Sequence, residues 1–183
     1  MASVLVPIAK GFEEIEAVAI IDVLRRAGIV VETASLDERE VTGANGITII
    51  ANNKIANILA EDFDMIVLPG GHDGAVALKN DERVQKLLKE FDASGKKIGA
   101  ICAAPMALKE AGLIKNKYTC YPSYEEDIGL EKFRDKEKVV IDGNIITSRG
   151  PGTAICFGLA IVKELVGTES YENLKTGLLA DYC

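Results

Sequence analysis

Tryptophan is absent from this 183-residue chain, histidine occurs once, at His72, and proline only five times. A single imidazole cannot build the His/His or Cys/His clusters that hold zinc. The four cysteines (Cys102, Cys120, Cys156 and Cys183) are spaced too irregularly for a Cys-x-x-Cys knuckle. No metal site is expected. No spacing suggests a disulfide framework in a domain this large, so all four thiols are expected to be free. Basic residues are also short: 21 Lys and Arg against 28 Asp and Glu leave a net charge of −7. Without a basic cluster there is no docking surface for a nucleic-acid backbone. No apolar run approaches the ~18 residues of a membrane span. The N-terminal MASVLVPIAKGFEEIE lacks both the basic start and the long apolar stretch of a secretory leader. The expectation is a soluble, cytoplasmic protein with no membrane partner.

Apolar residues are plentiful, at 48% of the chain. The length suits one domain, 1–183, with a full core. Short apolar runs alternate with helical stretches. Strands are expected at Ser3–Ile8, Ile29–Ser35, Ile47–Ile50, Asp64–Leu68 and Lys97–Cys102. A hairpin is expected at Val139–Ile141 and Ile145–Ser148 around Asp142-Gly143. Helices are expected at Glu13–Ala27, Asp81–Ser94, from near Pro105, at Thr153–Val166 and at Tyr171–Ala180. Continuously apolar strands alternating with helices predict an α/β fold, a mostly parallel sheet covered by helices on both faces. In such sheets ligands sit beyond the carboxyl ends of the strands.

Three places there carry chemistry in their pattern. Cys102 falls where the strand Lys97–Cys102 turns into the Pro105 helix, flanked by the small residues Ala100, Ala103 and Ala104. This is the layout of a nucleophile elbow, and a helix N-terminus favours thiolate. A small buried hydrophobe is the other reading, and pattern alone leaves both open. Pro69-Gly70-Gly71 follows the strand Asp64–Leu68. It reads either as an ordinary turn or as backbone N–H groups aimed at an oxyanion. His72 next to it reads as an exposed loop residue. On the Glu13–Ala27 helix, a 100° step puts Glu16 among Ile20, Val23 and Ala27 on the sheet-facing stripe, where a carboxyl is costly without a partner or a proton. Glu14, Asp22, Arg25 and Arg26 fall on the opposite side, Glu13 and Glu14 as compensation for the helix dipole. Ile15, Val18 and Ala19 add a second apolar set to the same helix, which points to a subunit interface. Arg149 and Gly150-Pro151-Gly152-Thr153 read as a glycine-rich helix start or an anion site. Cys156 reads as core.

Four segments in order carry a family likeness: Ala-Lys-Gly-Phe-Glu-Glu-Ile-Glu at 9–16, Val-Leu-Pro-Gly-Gly at 67–71, Ala-Ile-Cys-Ala-Ala-Pro at 100–105 and Thr-Ser-Arg-Gly-Pro-Gly-Thr at 147–153. Together they resemble the ThiJ/PfpI superfamily, in the branch of the parkinsonism-associated protein deglycase and its bacterial relatives. The likeness extends along essentially the whole chain.

The resemblance implies a flavodoxin-like sandwich that forms a homodimer. It also implies Cys102 as the reactive cysteine, Glu16 as the carboxyl facing it, and the N–H groups of Gly71 and Ala103 as the oxyanion pocket. Family members are described as glutathione-independent glyoxalases, as deglycases of methylglyoxal or glyoxal adducts, and as redox sensors or chaperones. Two positions depart from the pattern. Ala103 stands where the protease branch has histidine, and Tyr121, before Pro122, stands where the human-type relative has one. A Cys-His dyad is therefore unsupported, peptidase activity is set aside, and proton transfer falls to Glu16. The expected partner is a small dicarbonyl or a glycated adduct, with no cofactor. The alternative is an oxidative-stress sensor acting through oxidation of Cys102. His72 and Tyr121 are both left open as stand-ins for the missing histidine.

Overall fold

The first strand, β1 (Ser3–Ile8), is buried along nearly its whole length, as a central strand covered on both faces must be. A computed structural model describes all residues, 1–183. In chain order β1 is followed by α1 (Glu14–Arg26), β2 (Val30–Ser35), β3 (Glu40–Thr42), β4 (Thr48–Ile50), β5 (Asn53–Lys54) and β6 (Met65–Leu68). Then come α2 (His72–Asn80), α3 (Glu82–Ala93), β7 (Lys97–Ile101), α4 (Pro105–Glu110) and α5 (Glu125–Ile128). The chain ends with β8 (Val139–Asp142), β9 (Ile145–Ser148), α6 (Ala154–Leu165) and α7 (Thr168–Gly177).

Seven strands form one sheet in the order β5-β2-β1-β6-β7-β9-β8, and β3 pairs with β4 in a separate hairpin. Every pairing in the large sheet is parallel except β8 with β9. The helices segregate into two groups. α1 packs on α6 and α6 on α7, while α2, α3 and α4 pack on one another. This is the expected α/β architecture. The strand order reverses at β1, whose neighbours are β2 and β6, so a crevice opens at the carboxyl ends of β1, β6 and β7.

α1 aims a side chain into that crevice, and its ends explain how. Glu13 caps it by accepting a hydrogen bond from the Glu16 N–H at 2.8 Å. Gly28, at φ +76°, closes it with Gly28 N–H on the Arg25 carbonyl and Ile29 N–H on the Leu24 carbonyl. Ala17, Ile20, Val23 and Leu24 face the core. A fully buried side chain such as Ile20 contributes about 2–3 kcal/mol of transfer free energy, which fixes the helix's rotation. Ile15 and Val18 stay exposed, at 61% and 48%.

Three expectations need correction. Cys156 and Cys183 are joined in a disulfide that ties the C-terminal tail to α6, so only Cys102 and Cys120 are free thiols. The 27-residue separation gave no pattern to read. Glu14 is buried, not solvent-facing: its carboxylate accepts from the Asn45 N–H (2.6 Å), Asn45 Nδ2 (2.9 Å) and the Ile47 N–H (3.3 Å). A helical wheel does not see the 43–47 loop that covers this side. Burial pushes the Glu14 carboxyl up, but the hydrogen bonds together outweigh it and hold the group below its ordinary range. Finally, His72 opens α2, a helix with no counterpart in the sequence reading. Gly74 within it is required by contact, because a Cβ at Gly74 would sit 2.8 Å from the Phe12 nitrogen.

Candidate active site

Cys102 stands one residue beyond β7 with φ +64°, in the left-handed region that side-chain-bearing residues avoid. Strain of this kind costs about 1–2 kcal/mol and persists only where neighbours over-determine it. Here they do. The Cys102 N–H donates to the Ser148 carbonyl of β9 at 3.1 Å, and the Cys102 carbonyl accepts from the Tyr121 N–H at 2.9 Å. The turn lifts the thiol off the sheet into the crevice, as in a nucleophile elbow. The side chain is 8% exposed, and the N–H groups of Gly71 and Ala103 both donate toward its sulfur. Convergence of two amides on one point is a geometry that can accept an anion.

Glu16, in the first turn of α1, has no exposed surface. Its Oε2 accepts from the Gly70 N–H at 2.8 Å, and its Oε1 is buried without a partner. Gly70 separates carboxyl from thiol. A Cβ placed on Gly70 would lie 2.5 Å from Cys102 Cβ, 2.6 Å from Glu16 Oε2 and 3.1 Å from Cys102 Sγ. Only glycine leaves the two groups facing each other. Gly71 is constrained from the other side: at φ +85°, its Cβ would sit 2.2 Å from the Gly11 carbonyl oxygen.

Burial pushes the Glu16 carboxyl up to about 7, although the thiol and the Gly70 N–H pull the other way. Burial, then the negative charge of Glu16, pushes the Cys102 thiol up to about 12, against the Gly71 and Ala103 amides. This departs from the helix-terminus argument, which anticipates a depressed thiol. α4 has only six residues, and desolvation outweighs its dipole. The two groups titrate as a pair. Once Glu16 holds a proton, its charge no longer opposes the thiolate, and the amide donors work against burial alone.

The structure thus brings together Cys102, Glu16, Gly71 and Ala103, from β7, α1 and the β6–α2 turn. Neither stand-in for histidine reaches the thiol. His72 is exposed and its Nδ1 lies 2.7 Å from the Tyr124 hydroxyl. Tyr121 is 46% exposed, with its ring beside Gly150. Tyr124 was missed by sequence reasoning. Burial and then the charge of Cys102 raise its hydroxyl's pKa. Its only sequence signal is the Tyr121-x-x-Tyr124 spacing. Cys120 is fully buried, with its thiol 3.9 Å from Glu125 Oε2. A surface hollow of about 690 Å³ is walled by Lys79, Glu82, Lys86 and Lys89 on α2 and α3 and contains no cysteine.

Fold and site define an α/β protein with a strained strand-end cysteine, two converging amides and a buried carboxyl. Residues 2–164 match the model of the DJ-1/PfpI family. The chain belongs to that family. It is 42% identical over 183 residues to the Drosophila melanogaster protein dj-1beta, covering 98% of each chain. It is 37% identical over 164 residues to the Caenorhabditis elegans glutathione-independent glyoxalase DJR-1.2, covering 88% of this chain and 87% of the relative. The solved structure of oxidized Toxoplasma gondii DJ-1 superposes with a TM-score of 0.94 at 37% identity, covering 98% of both chains. No helix is long and apolar enough to cross a membrane.

Proposed function

We propose that the protein is a cysteine-dependent glyoxalase or deglycase that acts on methylglyoxal, glyoxal or their adducts without glutathione and releases a hydroxy acid. The observation that supports this reading most is the pairing of a buried carboxyl, raised to about 7, with a thiol held under two N–H donors. A relative of similar length is named for the same chemistry. Cys102 sulfur adds to the aldehyde carbon of the dicarbonyl, and the thiol proton ends on the aldehyde oxygen, giving a hemithioacetal. The Gly71 and Ala103 amides stabilise the oxyanion formed on the way. Glu16 as carboxylate removes the proton from that carbon while the neighbouring ketone oxygen gains one, giving an enediol. Return of the proton from Glu16 to the former ketone carbon, with loss of the proton on the hydroxyl of the sulfur-bearing carbon, leaves a thioester. Water cleaves it to the hydroxy acid and frees the thiol, so the net reaction is dicarbonyl plus water. A group with a pKa near 7 suits both halves of this transfer.

The test is production of lactate from methylglyoxal in the absence of glutathione. Cys102→Ser should abolish it, and persistence of lactate formation in that variant would remove Cys102 from the mechanism. Mild alkylation with mass mapping should label Cys102 ahead of buried Cys120.

A second reading rests on the similar structure described as oxidized. Here Cys102 is a peroxide-sensing thiol, and protonated Glu16 donates a hydrogen bond to the sulfinate. Stoichiometric peroxide consumption with no dicarbonyl turnover would favour it. In either case we place α1 at the interface of a homodimer. Ile15 and Val18 are joined on the surface by Ile47 and Ile50 at 56% and 66% exposure, an apolar area that a second copy would cover.

A further inference from the structure

The Cys156–Cys183 bridge takes no part in the chemistry at Cys102, yet it is not sealed in the core. Both of its cysteines line a surface hollow of about 470 Å³ between β8, α6 and α7, together with Lys136, Lys138, Lys163 and Tyr171. Cys156 is 5% exposed, and Cys183 is the more open of the two. The tail that carries Cys183 is lightly held. Beyond α7 the Cys183 N–H donates to the Ala180 carbonyl at 2.9 Å, and the Lys138 ammonium donates to the Tyr182 carbonyl. Leu179 and Tyr182 on the same tail stay exposed.

The hollow is locally basic on a protein whose net charge is −7. Lys136, Lys138 and Lys163 are exposed, and none of them forms an ion pair. Lys163 lies over the Tyr171 ring instead, 5.2 Å from its centre. Glu137 is the one acidic side chain on the wall.

A disulfide opens when a thiolate attacks one sulfur and expels the other. The rate follows access to the attacked sulfur and the ease with which the expelled one carries charge. Attack on Cys183 expels Cys156. That sulfur sits on the third residue of the twelve-residue α6, where the unpaired N–H groups of a first turn favour negative charge. Three unpaired lysines around the bond raise the local concentration of an anionic attacker.

We infer that this bridge is a thiol–disulfide exchange site, and that Cys183 accepts a small thiol carrying a carboxylate. The incoming thiolate bonds to Cys183 Sγ as the bond to Cys156 breaks. The electron pair goes to Cys156 Sγ, which takes a proton from water. One disulfide replaces another, so no external oxidant is consumed. A second thiolate attacking the small-molecule sulfur releases Cys183 and completes the reduction. None of this depends on the dicarbonyl reaction.

The test compares mercaptopropionate with its neutral analogue mercaptoethanol at equal thiolate concentration, with acid quenching and mass mapping of the folded, oxidised protein. Their rate ratio is divided by the same ratio measured on hydroxyethyl disulfide, which removes intrinsic nucleophilicity. At low salt the carboxylate thiol should be favoured about fivefold, and the preference should vanish in about 0.5 M salt. Lys138→Gln combined with Lys163→Gln should bring the ratio toward one while the mercaptoethanol rate holds. The first adduct should be on Cys183. An adduct on Cys156, a corrected ratio of one in the wild-type protein at low salt, or cleavage only in urea would each overturn the inference.

Discussion

Replacing Glu16 by glutamine should make the protein more stable, and increasingly so as pH rises. The free carboxyl has a pKa of 4.5, and burial raises it to about 7 in the folded protein. The folded state therefore binds this proton more tightly than the unfolded state. The stability it contributes is complete below about 4.5, is lost as pH climbs through about 7, and is constant above. Integrated over that window, ionised Glu16 costs about 3 kcal/mol at alkaline pH. Glutamine has the same shape, keeps an oxygen for the Gly70 N–H, and has no charge to desolvate. The assay is urea denaturation of wild type and Glu16→Gln from about pH 5 to about pH 8.5. Titrating groups remote from the crevice cancel in the difference, so the curve belongs to Glu16 and the thiol paired with it. It should be about 1 kcal/mol at the acid end and grow to about 3 kcal/mol, with the variant the more stable. A flat difference would refute the reasoning, because the charge of the pair would then lie on Cys102. Thiolate ultraviolet absorbance in the same samples would show it there.

Gly70→Ala should cut turnover by roughly 10²-fold with the fold retained, since a methyl 2.5 Å from Cys102 Cβ must displace either the thiol or the carboxyl; wild-type kcat/KM would show that the gap is not needed. Cys183→Ser, or reduction of Cys156–Cys183, releases a 27-residue loop worth about 3–4 kcal/mol in chain entropy. The melting temperature should fall by roughly 10 °C, with methylglyoxal turnover at low temperature unchanged; an unmoved melting temperature would mean that the tail is held by packing alone. Light scattering at micromolar concentration should give twice the chain mass, and Val18→Asp should shift it toward the monomer. A monomeric wild type would count against the α1 interface.

Much of this site was legible because each part obeys a short-range rule. Apolar runs located β6 and β7, and the ends of those strands located Gly71 and Cys102. A 100° helical step put Glu16 toward the sheet. What escaped depended on segments distant in the chain. Glu14 has the wheel position of a solvent residue, and only the loop from Gly43 to Ile47 buries it. α2 was read as loop at His72, and its Gly74 is present for contact with Phe12, a residue distant in the chain. The Cys156–Cys183 bridge spans α7 and leaves no spacing signature. The thiol's high pKa could not be read from a helix N-terminus either, because burial is a property of the assembled crevice.

The left-handed backbone at Cys102 sets an evolutionary boundary as well as a chemical one. The residue best suited to φ +64° is glycine, which carries no nucleophile. Any lineage in which selection on the reaction relaxes has at this position an immediate substitution that relieves strain and abolishes the thiol in one step. Loss of chemistry there need carry no folding defect. A well-folded descendant with glycine at this corner would record a change of role, with the scaffold intact and the crevice free for other use.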